Sequence, residues 1–205
     1  MPVLEFNEDK HEYKLDGVVV PSVTSIIKFL DDYSGVPQEI MEYTSSRGRA
    51  VHLATALDDQ DNLDYATVDD AVFPYLDAWR SFRRDTGFKP THIERFVYSK
   101  KYKYAGTLDR LGTIGTTKSS TVRCLIDIKT CAVVMPSAGP QTAAYLTAAN
   151  ECLSDVSSKS MLRYVVQLRN DGSYVLHRKP SALDSGIFTS ALRLHNWRIN
   201  NVNKY

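Results

Sequence analysis

The sequence predicts an α/β or α+β domain in which a central mixed β-sheet is flanked by helices. Three observations carry this prediction. Segments rich in β-branched and aromatic residues alternate with segments whose apolar residues recur at helical spacing. Their order runs helices, three strands, helix, two strands, helix. The length of 205 residues, with 43% hydrophobic and 24% charged, suits one domain with a buried core and excludes two large domains, a disordered chain or a collagen-like one. The chain is therefore read as a single domain over 1–205, with an N-terminal hairpin and helical subregion (about 1–90) packed on a core (about 91–205).

The elements follow from local pattern. Val3 and Glu5, then His11, Tyr13 and Leu15, alternate around the turn Asp16-Gly17 before the run Val18, Val19, Val20, which reads as a hairpin or meander. Pro21 stops the strand, and Ser22 and Thr24 before Ile26 and Ile27 mark the start of a short helix. After Gly35-Val36-Pro37, helical spacing of Ala50, Val51, Leu53, Ala54 and Leu57 predicts a helix over about 45–57 that carries His52. Residues 58–70 hold six aspartates and no Lys or Arg, the composition of a solvated connection or a helix start.

Val72, Tyr75, Leu76, Trp79 and Phe82 predict a second amphipathic helix, with Arg80, Arg83 and Arg84 on its other face and Gly87 at its end. Strands are expected at 92–99, 104–114 and 121–129, then an alanine-rich helix from Gln141 to about Leu153. Two strands at 162–168 and 174–177, joined by Asn170-Asp171-Gly172, and a helix over about 182–199 complete the order.

The net charge of +1 conceals an asymmetry. Residues 1–70 hold 5 basic against 15 acidic residues, and residues 71–205 hold 20 against 9. A basic segment concentrates phosphates whatever the total charge, so a polyanion partner is one reading and mutual cancellation on folding is the other. No apolar run approaches the roughly 20 residues of a membrane span, and the start MPVLEFNEDKHEYK lacks the order of a secretory signal, so no membrane association and a cytoplasmic location are expected. Three cysteines, Cys124, Cys131 and Cys152, fit free thiols.

The chemistry-bearing constellation lies in the two central strands. A hairpin centred near Lys118 sets Asp109 opposite Asp127, with Cβ atoms roughly 5 Å apart. Alternation places Asp127 and Lys129 on one face and Ile126 and Ile128 on the other, toward the core. Two carboxylates so close repel, and a hard divalent cation such as Mg²⁺ or Mn²⁺ removes that penalty. Lys129 adds a cation able to hold a water or a phosphate oxygen. Metal plus ammonium is a phosphodiesterase's equipment, although an Asp-x-Lys on an exposed strand is commonly a solvated face.

The ordered blocks Arg47-Gly48-Arg49-Ala50-Val51-His52, Gly106-Thr107-Leu108-Asp109, Asp127-Ile128-Lys129-Thr130 and Gln141-Thr142-Ala143-Ala144-Tyr145 resemble the RecB-type branch of the PD-(D/E)XK nucleases. The stretch from His11-Glu12-Tyr13 to Pro21-Ser22-Val23-Thr24 is similar to phage-encoded members and to mitochondrial relatives, so the resemblance covers about 11–145. It implies a restriction-endonuclease-like core, with Asp109, Asp127, the Ile128 carbonyl and His52 as metal ligands and Lys129 positioning the attacking water. Gln141 and Tyr145, one helical turn apart, would face the active centre or the DNA, with capping and core packing as the alternative. Arg47 and Arg49 are further substrate-binding candidates, and Glu94 a second-tier one.

The resemblance implies a Mg²⁺-dependent DNA exonuclease of recombination or end processing, with Mn²⁺ able to substitute, acting in the host cytoplasm if phage-encoded. A structure-specific endonuclease or nickase, and a non-catalytic DNA-binding module or subunit, are the rival readings. DNA is the expected partner; a single-strand annealing or other recombination protein and a homo-oligomer stay open. Lys100, Lys101 and Lys103, interleaved with Tyr98, Tyr102 and Tyr104, suit phosphates and stacked bases, or are simply a basic hairpin tip. Some relatives carry a four-cysteine iron–sulfur cluster; three cysteines without CxxC spacing exclude one within this chain.

Overall fold

A computed structural model of the chain describes residues 2–8, 10–117, 120–157 and 161–202. The fold is α+β, built on a five-stranded mixed sheet and a three-stranded antiparallel sheet. β1 (Leu4–Asn7), β2 (Glu12–Leu15) and β3 (Val18–Val20) form the small sheet as a meander. Its tight turn uses left-handed conformations at Asp16 and Gly17, φ 52° and 77°, which match the twist of the flanking strands. α1 (Val23–Ile27) begins at Ser22, whose Oγ accepts the Ser25 amide at 3.0 Å.

α2 (Gln38–Asp59) and α3 (Phe73–Thr86) precede β4 (Lys89–Ser99), β5 (Tyr104–Thr117) and β6 (Ser120–Lys129). α4 (Ala138–Cys152) then crosses to β7 (Leu162–Leu168), followed by β8 (Tyr174–Arg178) and α5 (Asp184–Asn201). Spatial order follows sequence order, β4-β5-β6-β7-β8, with only the β6–β7 pair parallel. The parallel pair needs a crossover, and α4 supplies it. One core joins α1, α4 and α5 through residues such as Tyr104, Leu125, Leu146 and Phe188. The other sets Trp79 and Phe82 of α3 and Val51 of α2 against Ile126, Ile128 and Val166. The meander is tied on by the Tyr13 and Thr107 hydroxyls, 2.8 Å apart, and by Ala105 N–H donating to Pro21 O.

Three expectations need correction. The second helix starts seven residues earlier than expected, at Gln38, because its first two turns bury nothing and leave no apolar periodicity to read. The aspartate-rich stretch does not begin as a solvated connection: Asp58 and Asp59 form the last turn of α2 and are buried, paired with Arg80, Arg83 and Arg110. Arg80 and Arg83, expected on the face of their helix away from the apolar one, thus serve an internal ion network. The turn centred on Lys118 falls outside the described residues, but the pairing 110 with 126 through 115 with 121 keeps the inferred register. Among the described residues no helix is long and apolar enough to cross a membrane.

At Gly112 the backbone of β5 runs close against the start of β4. A Cβ there would stand 2.3 Å from Lys89 O and 2.7 Å from the Phe88 ring. Gly112→Ala is expected to lower stability by about 1–3 kcal/mol through overpacking, measured as a shift of the denaturation midpoint with unchanged slope.

Candidate functional site

Strand register assembles the carboxylates. Pairing of Ile93 with Arg110 and of Arg95 with Leu108 brackets Glu94 beside Asp109, and pairing of Arg110 with Ile126 sets Asp109 beside Asp127. Three adjacent strands therefore deliver three carboxylates to one row. Glu94 itself adopts a left-handed backbone, φ 44°, in the interior of β4. For a non-glycine residue this costs about 1 kcal/mol or more and persists where the surroundings enforce it.

α2 brings His52 over this row. Its Nδ1 lies 3.4 Å from Glu94 Oε1 and 3.6 Å from Asp109 Oδ1. His52, Glu94 and Asp109 offer ligand atoms all within 4.8 Å of one another. Burial alone would push the imidazole's pKa down, but Asp109 and Glu94 outweigh it and lift it to about 9, so at neutral pH His52 is a cation between two carboxylates. Asp109 is raised, chiefly by burial, and its Oδ2 accepts the Ile128 amide at 2.6 Å.

Asp127 is only 1% exposed, and its pKa is pushed up to about 6, first by burial and then by Asp109, against the opposing pull of Lys129. Lys129 Nζ stands 2.9 Å from Oδ2, yet neither carboxylate oxygen accepts a hydrogen bond of good geometry. A buried carboxylate left in that state is costly. Burial opposes the Lys129 charge as well, but Asp127 and Asp109 prevail and raise its pKa, which keeps it an ammonium. The Asp-x-Lys face is thus not a solvated one: its aspartate lies beneath α4, whose Tyr145 ring packs against Gly106 and whose phenol is held far above its usual range by burial and by Asp109 and Asp127. Gln141 Nε2 donates to Tyr145 Oη at 3.4 Å.

A buried guanidinium holds the arrangement from the opposite face. Arg110 has no exposed surface; its Nε donates to Asp59 at 2.6 Å, Nη1 to Glu94 Oε1 and to the Asp109 carbonyl, each at 2.7 Å, and Nη2 to Thr55 at 3.1 Å. It also lies over the Trp79 ring, 5.5 Å from its centroid. Gln167, opposite Lys129 on β7, donates to the carbonyls of Cys131 and Ala132 and so fixes the segment leaving β6. Arg110, Asp59, Thr55 and Gln167 were not singled out from sequence. The available signal was an arginine amid strand formers, where a charge survives only if paired.

The remaining candidates divide. Arg47 is packed between the Tyr43 and Tyr75 rings with Nη2 on Thr130 O, so it braces α2 against the end of β6. Arg49 is exposed, bonded to Ser45. Lys100, Lys101 and Lys103 sit at the β4–β5 turn, where Lys101 lies over Tyr102 and Glu151 accepts from the Lys101 amide, with no contact to the carboxylate row. A groove of about 950 Å³ leads away from Lys129 and Gln141, lined by Tyr33, Ser45, Ser137 and His11 of the meander among others. The His52, Glu94 and Asp109 group could hold a metal cation.

Two predictions follow from the electrostatics. Arg110→Ala, which removes one of two cationic partners from each of Asp59 and Glu94, is expected to cost about 3 kcal/mol by chemical denaturation. Asp127 has a folded pKa above its unfolded value, so its contribution to stability is full below about pH 4 and is lost as pH rises through about 6. In chelator, Asp127→Asn should therefore melt higher than the wild type at pH 7.5 and converge with it near pH 4; Mn²⁺ should raise the melting temperature of the wild type only. Compared with known proteins, the chain matches no family model and no curated protein.

Proposed function

We propose that this chain is a divalent-metal-dependent deoxyribonuclease with a PD-(D/E)XK core, acting as an exonuclease on DNA. The observation that carries the reading is the convergence of Asp109, Asp127 and Lys129 with Glu94 and His52 on adjacent elements, with the Asp127 carboxylate buried and lacking a hydrogen-bond donor of good geometry. That donor set fits Mg²⁺ or Mn²⁺: it is rich in carboxylate oxygens, and the Asp127 oxygens lack a hydrogen-bond donor of good geometry. Asp109 and Asp127 would hold the cation, with His52, Glu94 and the Ile128 carbonyl as further ligands. When bound, the metal supplies positive charge to the scissile phosphate and acidifies water.

The chain's own groups perform the rest. Lys129, kept protonated by Asp127, is a hydrogen-bond donor to the attacking water or the phosphate and not a base. Gln141 lies where the groove meets Lys129 and can orient a backbone phosphate, while Tyr145 closes the far side against solvent. His52 has to give up its extra proton to serve as a ligand, so metal uptake releases a proton and tightens with rising pH below about 9. The preference for DNA ends over internal sites follows from the RecB-type resemblance.

The test is digestion of end-labelled linear DNA, single- and double-stranded, beside closed circles, in Mg²⁺ and in EDTA. The wild type should degrade linear DNA only with metal and spare circles. Asp109→Ala and Asp127→Ala should abolish cleavage, and Lys129→Ala should lower kcat by about 100-fold or more while DNA affinity changes little. Cleavage of circles would identify an endonuclease; binding without cleavage under any metal would identify a DNA-binding module.

A further inference from the structure

We propose that this chain self-associates head to tail, the exposed stripe of α5 from one copy docking on the first two turns of α2 of the next. From Arg193 to Asn201 every residue of α5 except His195 is exposed, so the helix runs on beyond the core. Ile187, Leu194 and Trp197, 43%, 44% and 57% exposed, fall at the 3.5-residue spacing of a helix-pairing seam. Two and a half helical turns without a packed face have little stability of their own in water. Scattered single exposed residues are ordinary, but an aligned apolar stripe marks a contact surface.

A matching surface exists on the same chain. Ile40 and Tyr43, 51% and 56% exposed, form a second stripe where α2 begins, with Val36, 40% exposed, just ahead of the helix and the part-buried Arg47 held between the Tyr43 and Tyr75 rings. Charge chooses between occupants. The α5 stripe is flanked by Arg193 and Arg198, and the α2 stripe by Glu39 and Glu42; among the described residues none of the four has an ion pair. Two α5 stripes meeting each other would oppose like charges, as would two α2 stripes, whereas α5 on α2 pairs opposite ones. The contact is therefore heterologous, and it leaves each copy with one free surface of each kind. Tyr33 and Ser45 on either side of the α2 stripe line the groove, so the docked helix adds to its rim.

Sedimentation velocity over a concentration series tests this without reference to any activity. Average mass should rise with concentration for the wild type and fall back as salt is added. Trp197→Ser and, separately, Ile40→Asp should each weaken association about tenfold or more while melting like the wild type, since both side chains are exposed. An equimolar mixture of the two variants should form a dimer and nothing larger, because each retains the surface the other needs. A wild type that stays monomeric throughout overturns the proposal, as does a mixture that stays monomeric. Loss of DNA binding by Ile40→Asp at unchanged mass would assign the α2 stripe to nucleic acid and overturn it too.

Discussion

The side chain on which most of this structure depends is the buried guanidinium of Arg110. It joins the end of α2 through Asp59 and Thr55, the interior of β4 through Glu94, and its own strand through the Asp109 carbonyl. A cation with no solvent is tolerable only when each donor is answered, and here two carboxylates, a hydroxyl, a carbonyl and an indole face answer it. The same contacts bring His52 over the carboxylate row, because His52 and Asp59 are two turns apart on one rigid helix. The geometry of the proposed metal centre is thus set from behind, by a residue on the opposite face of the sheet.

Around that fixed point the electrostatics are deliberately uneven. Arg110 and the Asp58, Asp59, Arg80 and Arg83 network are mutually satisfied. The row Glu94, Asp109 and Asp127 is answered less evenly: Arg110 and His52 both stand against Glu94, His52 stands against Asp109, and the most buried carboxylate, Asp127, has Lys129 beside it but no hydrogen-bond donor of good geometry. Lys129, beside the unsatisfied carboxylate, also lines the groove.

Sequence made the strands, the mixed sheet and the register legible, since β-branched runs and a hairpin with a countable centre leave little freedom. Asp109, Asp127 and Lys129 could be named because alternation and the hairpin register place them; helical spacing put His52 on a helix, and only the resemblance implied its role. Glu94 was visible only as a remote candidate, because its alignment with Asp109 depends on a left-handed residue within β4 that no side-chain pattern announces. The ion network escaped for a different reason. Aspartates in a run read as solvated unless their partners are known, and those partners lie 22 positions on for Arg80 and 51 positions on for Arg110. The first turns of α2 and the overhang of α5 escaped because neither buries a face.

The hairpin of β5 and β6 has a kinetic meaning as well. Asp109 is brought beside Glu94 and beside Asp127 by local chain closure, through the β4–β5 and β5–β6 hairpins, whereas His52 comes from a helix that must dock from further away. Loop closure favours the short connections, so during folding the carboxylates meet, with Lys129 and Arg110 on the same strands, before His52 arrives. A chain that condenses in this order holds its carboxylate row at the sheet's centre before the helical histidine covers it, and any cation captured there acts on the folding barrier as well as on the finished site.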